Sequence, residues 1–179
     1  MNSIEELLKI SNISVEAGRI ILDFYNKNLD ITFKTDESPL TQADLASNKF
    51  ITDSIKKISP NIPILSEEEF IEWDIRKEWK KYWLIDPLDG TKEFIKKNGE
   101  FTVNIALIEN NRPILGVIYA PVSNELYFSK KNFGSYKILT NKKLNTLDNA
   151  NKISIKIKKK IMLKLLGVDL IQIPYFTNG

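Results

Sequence analysis

The stretch that decides the fold is Tyr82-Trp83-Leu84-Ile85-Asp86-Pro87-Leu88-Asp89-Gly90-Thr91. Its first four residues form a short apolar run, typical of a buried strand, which leads directly into two carboxylates and a hydroxyl. Pro87 lacks the N–H that a central strand needs, and Gly90 permits a tight approach of backbone. Two aspartates three residues apart on such a turn can face one pocket, where their like charges require a neutralising cation. Because hard cations take carboxylate and carbonyl oxygens, the stretch predicts a magnesium site at a strand end.

A second acidic run lies upstream and also follows apolar residues. Three glutamates, residues 67–69, come after the apolar residues 62–65 and one serine. Acidic groups at strand ends lie where open α/β sheets place their ligand sites. Each run alone has a simpler interpretation, since a glutamate run is usually a solvated loop and Asp-Pro and Asp-Gly are common turn pairs. Together, at the ends of two strands, they indicate one functional site.

Long helices precede these strands. Apolar residues at helical spacing predict a helix over residues 3–25, opened by a Ser3/Glu6 capping box. A second predicted helix begins at Thr41 and stops at residues 59–61. Thr41 and Asp44 also resemble a capping box, so the simpler role of Asp44 is that of a helix cap.

Strands dominate the chain after the second helix. Short strands are predicted at residues 62–65, 82–85, 101–109, 114–120 and 125–129, with an antiparallel meander in the later part. Trp73 and Trp79 are expected to anchor the charged segment at residues 70–81 by packing. Residues 152–158 predict a further strand, and residues 161–166 a short helix. Helices followed by strands indicate an α+β layered fold.

Composition excludes several kinds of chemistry. The chain has 179 residues, no Cys and no His, which excludes disulfides, Cys-based zinc sites, Cys nucleophiles and the Ser-His-Asp triad. An enzyme with this composition must use carboxylates, hydroxyls, lysines and hard cations. Residues 1–129 carry a net charge of −6 and residues 130–179 carry +9. The basic part contains no Arg and little aromatic interleaving, so we expect no nucleic-acid partner.

Targeting signals are not expected. The chain begins Met-Asn-Ser-Ile-Glu-Glu, which is acidic where a signal peptide would be basic. Its apolar runs are far shorter than a membrane span, so no transmembrane segment is predicted. These features predict a cytoplasmic protein.

Residues 86–94, Asp-Pro-Leu-Asp-Gly-Thr-Lys-Glu-Phe, resemble the signature of the inositol monophosphatase superfamily of lithium-sensitive, magnesium-dependent phosphatases. The Lys-Glu-Phe continuation resembles the bisphosphate nucleotidase branch more than the inositol phosphatase branch. The flanking residues 38–44, 64–68, 98–108 and 113–121 agree. The resemblance covers residues 1–155 and implies a layered α/β sugar-phosphatase-like fold.

The resemblance assigns roles to residues at the strand ends. The implied metal ligands are Glu67, Asp86, the backbone carbonyl of Leu88, and Asp89. Glu68 is a weaker candidate for an outer or third metal. Asp44 and Thr91 would form the pair that orients and deprotonates the attacking water. The implied substrate-binding residues are Glu67, Leu88, Asp89, Gly90 and Thr91, with the Gly90 and Thr91 amides facing the phosphate.

The C-terminal part departs from the family pattern. The family's later Trp-Asp motif has no counterpart, because the only Trp-Asp is Trp73-Asp74 in a polar loop. We therefore expect residues 1–155 to form an N-terminal domain with the metal site. We expect residues 156–179 to be a divergent or truncated tail, with the C-terminal α/β part largely missing.

The resemblance implies a magnesium-dependent phosphatase that removes the 3'-phosphate of adenosine 3',5'-bisphosphate in sulfur assimilation. Its partner would be this small nucleotide bisphosphate, and the family also implies peripheral association with the inner membrane. A homodimer is a further expectation, which the sequence leaves open. Two alternatives stay open. One is an inactive remnant of such an enzyme, and the other is a phosphatase acting on inositol monophosphate.

Overall fold

The computed structural model describes residues 3–25, 31–33, 39–146 and 150–153. Its helices are α1 (Ser3–Tyr25), α2 (Gln42–Ile58), α3 (Trp73–Arg76) and α4 (Thr91–Ile95). Its strands are β1 (Ile31–Phe33), β2 (Pro39–Thr41), β3 (Ile64–Ser66), β4 (Lys81–Asp89), β5 (Thr102–Glu109), β6 (Arg112–Ala120), β7 (Glu125–Lys130), β8 (Gly134–Leu139) and β9 (Asn151–Ile153). The strand predicted at 152–158 overlaps the end of β9. The rest of that strand and the helix predicted at 161–166 lie outside the described residues.

Both long helices form where the apolar spacing predicts them. α1 buries Leu7, Ile10 and Ile21 on one side, as expected for an amphipathic helix. Thr41 caps α2, and the N–H of Ser59 closes its last turn by donating to Ile55 O at 2.8 Å. Among the described residues, no helix is both long and apolar enough to cross a membrane.

Seven strands form one sheet in the order β3-β4-β5-β6-β7-β8-β9. β3 pairs with β4 in parallel, and every later neighbour pair is antiparallel. The predicted meander is therefore confirmed, and β8 extends it. β1 and β2 form a separate antiparallel pair that leads into α2.

The main core lies between the sheet and the two long helices. Alternate residues of β4 and β5, including Trp83, Ile85 and Ile105, belong to the same buried cluster as α1 and α2. The next residues along these strands form a smaller cluster on the opposite face, made by Leu84, Ala106 and Ile108. Helices layered on a mostly antiparallel sheet confirm the predicted α+β class.

The segment between β3 and β4 differs from expectation. Trp73 is not a packing anchor, because its side chain is 39% exposed and Arg76 lies over its ring. Trp79 does pack, with its ring centroid 6.1 Å from that of Tyr82. A cation–π contact with Arg76 therefore stabilises the exposed Trp73 ring, which needs no place in the core.

A valine at Gly18 is expected to lower the free energy of unfolding, whereas a valine at Gly116 is not. A Cβ built on Gly18 would lie 2.5 Å from Cε1 of the buried Tyr119 ring. Overpacking of this kind costs about 1–3 kcal/mol. At Gly116 nothing lies within 4 Å of an added Cβ, and valine suits a strand. Urea denaturation measures both variants, and equal losses would contradict the packing of α1 on β6.

Candidate active site

A bulge at the end of β4 forms the centre of the site. Asp86 pairs with Asn104 and Asp89 pairs with Thr102, so two residues of β4 oppose one residue of β5. A bulge bends its strand and redirects the side chains next to it. Pro87 sits inside this bulge, where no ladder hydrogen bond is required of it. Its carbonyl oxygen accepts a hydrogen bond of 2.8 Å from the buried Ser47 hydroxyl of α2.

Gly90 follows the bulge and is the N-cap residue of α4. Its φ is +96°, and a Cβ there would lie 2.8 Å from the carbonyl oxygen of Glu100. Both the left-handed backbone and the close approach require glycine. The turn then places Thr91 at the first position of α4.

The parallel pairing of β3 with β4 brings the two acidic runs together. Ser66 lies opposite Ile85, and the N–H of Glu67 donates to Ile85 O at 3.0 Å. Parallel strands end at the same edge of a sheet, so Glu67 emerges beside Asp86. The carboxyl groups of Glu67, Asp86 and Asp89, called here the acidic cluster, interact electrostatically.

Asp86 is the most constrained member of the acidic cluster. Its side chain is buried, and Oδ1 has no hydrogen-bond partner. Burial raises the pKa of this carboxyl well above its usual range, and the charges of Glu67 and Asp89 raise it further. The Glu67 side chain is thus one of the neighbours that make a charged Asp86 unfavourable at this position.

The chemistry of this donor set suits a hard cation. A cation would neutralise the negative charge that raises the pKa of Asp86, and it would satisfy the unpartnered Oδ1. Within the described parts of the chain, no three acidic side chains stand in a ready metal-binding arrangement. The assignment of Glu67, Asp86, Leu88 and Asp89 as metal ligands therefore stays a prediction.

Asp89 is held from β5. The Asn104 side-chain Nδ2 donates to Asp89 Oδ2 at 3.0 Å, and the Thr102 hydroxyl donates to Asn104 Oδ1 at 3.0 Å. Burial raises the pKa of Asp89, and the bond from Asn104 partly opposes this effect. The sequence reasoning missed Asn104 and Thr102, although an amide inside an apolar strand is a signal that could have found them.

Asp44 joins the start of α2 to the turn at Thr91. Its Oδ2 accepts from the backbone N–H of Thr41 at 2.9 Å, and the Thr41 hydroxyl also bonds this oxygen. Its Oδ1 accepts from the Thr91 hydroxyl at 3.2 Å. The capping box is confirmed, and the same carboxylate contacts Thr91. Burial raises the pKa of Asp44.

Leu88 contributes its backbone to this turn. The Thr91 hydroxyl lies 3.3 Å from the Leu88 carbonyl oxygen as well as within reach of Asp44. Asp44, Leu88 and Thr91 are thus brought together. The roles of Asp44 and Thr91 in catalysis, and of Glu67, Leu88, Asp89, Gly90 and Thr91 in substrate binding, stay predictions.

The other two glutamates behave differently from one another. The charge of Glu68 also raises the pKa of Asp86, so Glu68 lies near the acidic cluster. Glu69 bonds instead to α2, where Asn48 Nδ2 donates to its Oε1 at 3.2 Å. The Ser66 hydroxyl donates to Asn48 Oδ1 at 2.7 Å, so Asn48 links α2 to the loop that carries Glu67.

A surface groove also occurs where β5 turns into β6, at the opposite end of β5 from Thr102 and Asn104. It has a volume of about 560 Å³ and is lined by Glu109, Asn110, Arg112, Pro113, Ile114 and Lys131. None of these residues belongs to the acidic cluster or its partners.

The sequence that carries these two acidic strand ends is similar to that of known proteins. The model for the inositol monophosphatase family matches residues 3–169. This chain belongs to the inositol monophosphatase family. The match confirms the resemblance at residues 86–94 and extends past residue 155.

Two similar curated proteins carry the same name. The 3'(2'),5'-bisphosphate nucleotidase CysQ of Escherichia coli K12 is 50% identical over 121 residues, which are 66% of this chain and 49% of that protein. A protein of the same name from Buchnera aphidicola is 49% identical over 138 residues, 72% of this chain and 52% of the relative. This chain thus spans about half the length of these relatives.

Solved structures agree with the fold of the family. The crystal structure of CysQ from Bacteroides thetaiotaomicron is 37% identical, with a TM-score of 0.69, and the match covers 88% of this chain and 60% of that chain. An IMPase from Thermotoga maritima is 26% identical, with a TM-score of 0.64, and the match covers 71% and 48%. The predicted inositol monophosphatase-like fold is confirmed.

Asp86→Asn is expected to stabilise the metal-free protein at neutral pH. The pKa of Asp86 is raised in the folded state above its ordinary value of 3.8. The folded state therefore holds the proton more tightly than the unfolded state, and stability falls as the pH rises through the raised pKa. A difference of one pKa unit between the two states corresponds to about 1.4 kcal/mol. The advantage of the asparagine variant should shrink as the pH falls toward the ordinary value.

Urea unfolding in EDTA at a series of pH values measures this dependence. Asp53→Asn is the control, because Lys49 lowers the pKa of that exposed carboxyl, so its pH dependence has the opposite sign. An Asp86→Asn advantage that is constant with pH would show that the carboxyl is not buried as described.

Proposed function

We propose that this chain is a magnesium-dependent phosphatase that removes the 3'-phosphate of adenosine 3',5'-bisphosphate. The observation that carries the proposal is the buried Asp86, which has an unpartnered oxygen and lies beside Glu67 and Asp89. The carboxylates of such a cluster repel one another, and a divalent cation offsets this repulsion. The residues that would hold the cation are Glu67, Asp86, the Leu88 carbonyl and Asp89, with Glu68 as an outer candidate.

A bound Mg²⁺ would neutralise the carboxylates and polarise both water and the phosphate. The chain's own residues would then manage the proton. Thr91 Oγ1 already donates to Asp44 Oδ1, so a water that donates to Thr91 can pass a proton through this hydroxyl to the carboxylate. The raised pKa of Asp44 makes it a better proton acceptor than an exposed aspartate.

The α4 turn would face the phosphate. The first turn of a helix has free N–H groups that suit an anion, and Gly90 and Thr91 lie at the start of α4. Gly90 also lets the backbone approach closely, because it has no Cβ. These two amides would orient the phosphate over the acidic cluster.

The nucleotide substrate is favoured by the named relatives. CysQ proteins at about half sequence identity are named 3'(2'),5'-bisphosphate nucleotidases, and this supports adenosine 3',5'-bisphosphate over inositol monophosphate. The family model and the Thermotoga maritima neighbour keep an inositol phosphate as the second candidate.

The proposal also includes a homodimer, a cytoplasmic location and peripheral contact with the inner membrane. These three points rest on the expectations drawn from the sequence.

The full 179-residue chain is expected to release phosphate from adenosine 3',5'-bisphosphate only when Mg²⁺ is present. Thr91→Val should lower kcat by roughly 10²–10⁴-fold, because it removes the hydroxyl that passes the proton to Asp44. Asp86→Asn should abolish turnover, because it removes a charge that the cation needs. Asp53→Asn, an exposed change elsewhere on α2, should leave the rate unchanged. A colorimetric phosphate assay measures all four proteins.

Side-by-side rates on inositol 1-phosphate separate the alternatives. A faster rate on the inositol phosphate would replace the proposed substrate. The absence of Mg²⁺-dependent release from either compound would favour the inactive remnant.

A further inference from the structure

Asn104 is an unusual residue for its position in β5. Its side chain is fully buried, and its neighbours in the strand are the apolar Val103 and Ile105. Those two belong to the core beneath α1 and α2, so Asn104 points to the opposite face of the sheet. Asp86 is its register partner on β4 and therefore lies on the same face.

The hydrogen bonds of Asn104 determine how its amide is oriented. A carboxylate only accepts hydrogen bonds, so the NH₂ group must face Asp89 Oδ2, at 3.0 Å. The amide oxygen then faces the Thr102 hydroxyl, which donates to it at 3.0 Å. Thr102 is also the register partner of Asp89, so β5 supplies both members of this chain of bonds.

Burying the amide group of Asn104 costs free energy unless hydrogen bonds compensate for the water that it loses. An apolar side chain would suit this strand interior without any need for partners. The Asn104 amide instead donates one hydrogen bond to Asp89, and the Thr102 hydroxyl fixes the orientation of that amide. The bonds of Asn104 thus fix the orientation of the Asp89 carboxylate, a role that the stability of the strand does not require.

We propose that Asn104 is a positioning residue for the cation site, holding Asp89 through Oδ2 so that Oδ1 is presented to Mg²⁺. Thr102 acts through Asn104 by fixing its amide. This inference rests on the proposed function, because it takes the acidic cluster as the Mg²⁺ site. Partners of this kind typically change metal affinity by roughly 10–100-fold when they are removed.

Isothermal titration of Mg²⁺ into the full chain tests the role of Asn104. Asn104→Leu keeps a similar volume and removes both bonds, so the Kd for Mg²⁺ should rise by roughly 10–100-fold. Thr102→Val should raise the Kd less, because the amide remains. In the double variant, Thr102→Val should add nothing further, since it acts only through Asn104.

The matched control is Asn12→Leu. Asn12 on α1 also makes two amide bonds, with Leu144 O at 2.8 Å and Leu144 N at 2.6 Å, but it contacts backbone instead of a carboxylate. Its removal should weaken folding and leave the Kd for Mg²⁺ unchanged. A merely structural role for Asn104 would make the two leucine variants behave alike in the titration.

The outcomes separate this inference from the function on which it rests. If the wild-type chain does not bind Mg²⁺, the proposed function and this inference both fail. If the wild-type chain binds and Asn104→Leu binds equally well, only this inference fails. Should Asn104→Leu not fold, Thr102→Val decides alone, and an unchanged Kd in that variant would overturn the proposal.

Discussion

The candidate site is organised around one constraint, the carboxyl group of Asp86 held out of water beside two other carboxylates. Its side chain is only 5% exposed, and its pKa is raised by burial and then by Glu67 and Asp89. Burial of like charges opposes folding unless a proton or a cation intervenes. The bulge in β4 and the parallel pairing with β3 place the acidic cluster in this state. The pairing of β4 with its neighbours β3 and β5 therefore fixes this unfavourable contact.

Helix α2 connects the separate parts of this arrangement. Its first turn holds Asp44, which completes the capping box with Thr41 and accepts from Thr91. The next turn holds Ser47, which donates to the bulge at Pro87, and Asn48, which bonds Ser66 and Glu69. One rigid helix thus contacts the β4 bulge, the α4 turn and the β3 loop. A shift of α2 would disturb all three together, which explains why polar residues are buried on a helix that also packs in the core.

Much of the fold was predictable because its signals are local. The apolar spacing of α1 and α2 and the runs in β4 to β7 depend on residues near one another in sequence. β8 was missed because its residues are only partly buried, which weakens the apolar pattern. The prediction that Trp73 anchors its segment by packing was wrong. Its ring is partly exposed and contacts Arg76, and a sequence pattern does not distinguish such a contact from burial. The candidate ligands were found from the strand-end motif, whereas Asn104 and Thr102 lie fifteen and thirteen residues after Asp89.

The sequence by itself determined the two long helices α1 and α2, the strand-to-turn transition at residues 82–91, and the kinds of donor that any site must use. With no Cys and no His, the site had to use carboxylates, hydroxyls, amides, lysines and hard cations. Tertiary structure alone decided which of these groups meet. Asp44 reaches Thr91 across 47 positions and Asn104 reaches Asp89 across 15, and such contacts arise from strand register and helix packing. A motif specifies local backbone, but the environment of a carboxylate depends on elements that are distant in sequence and pack around it.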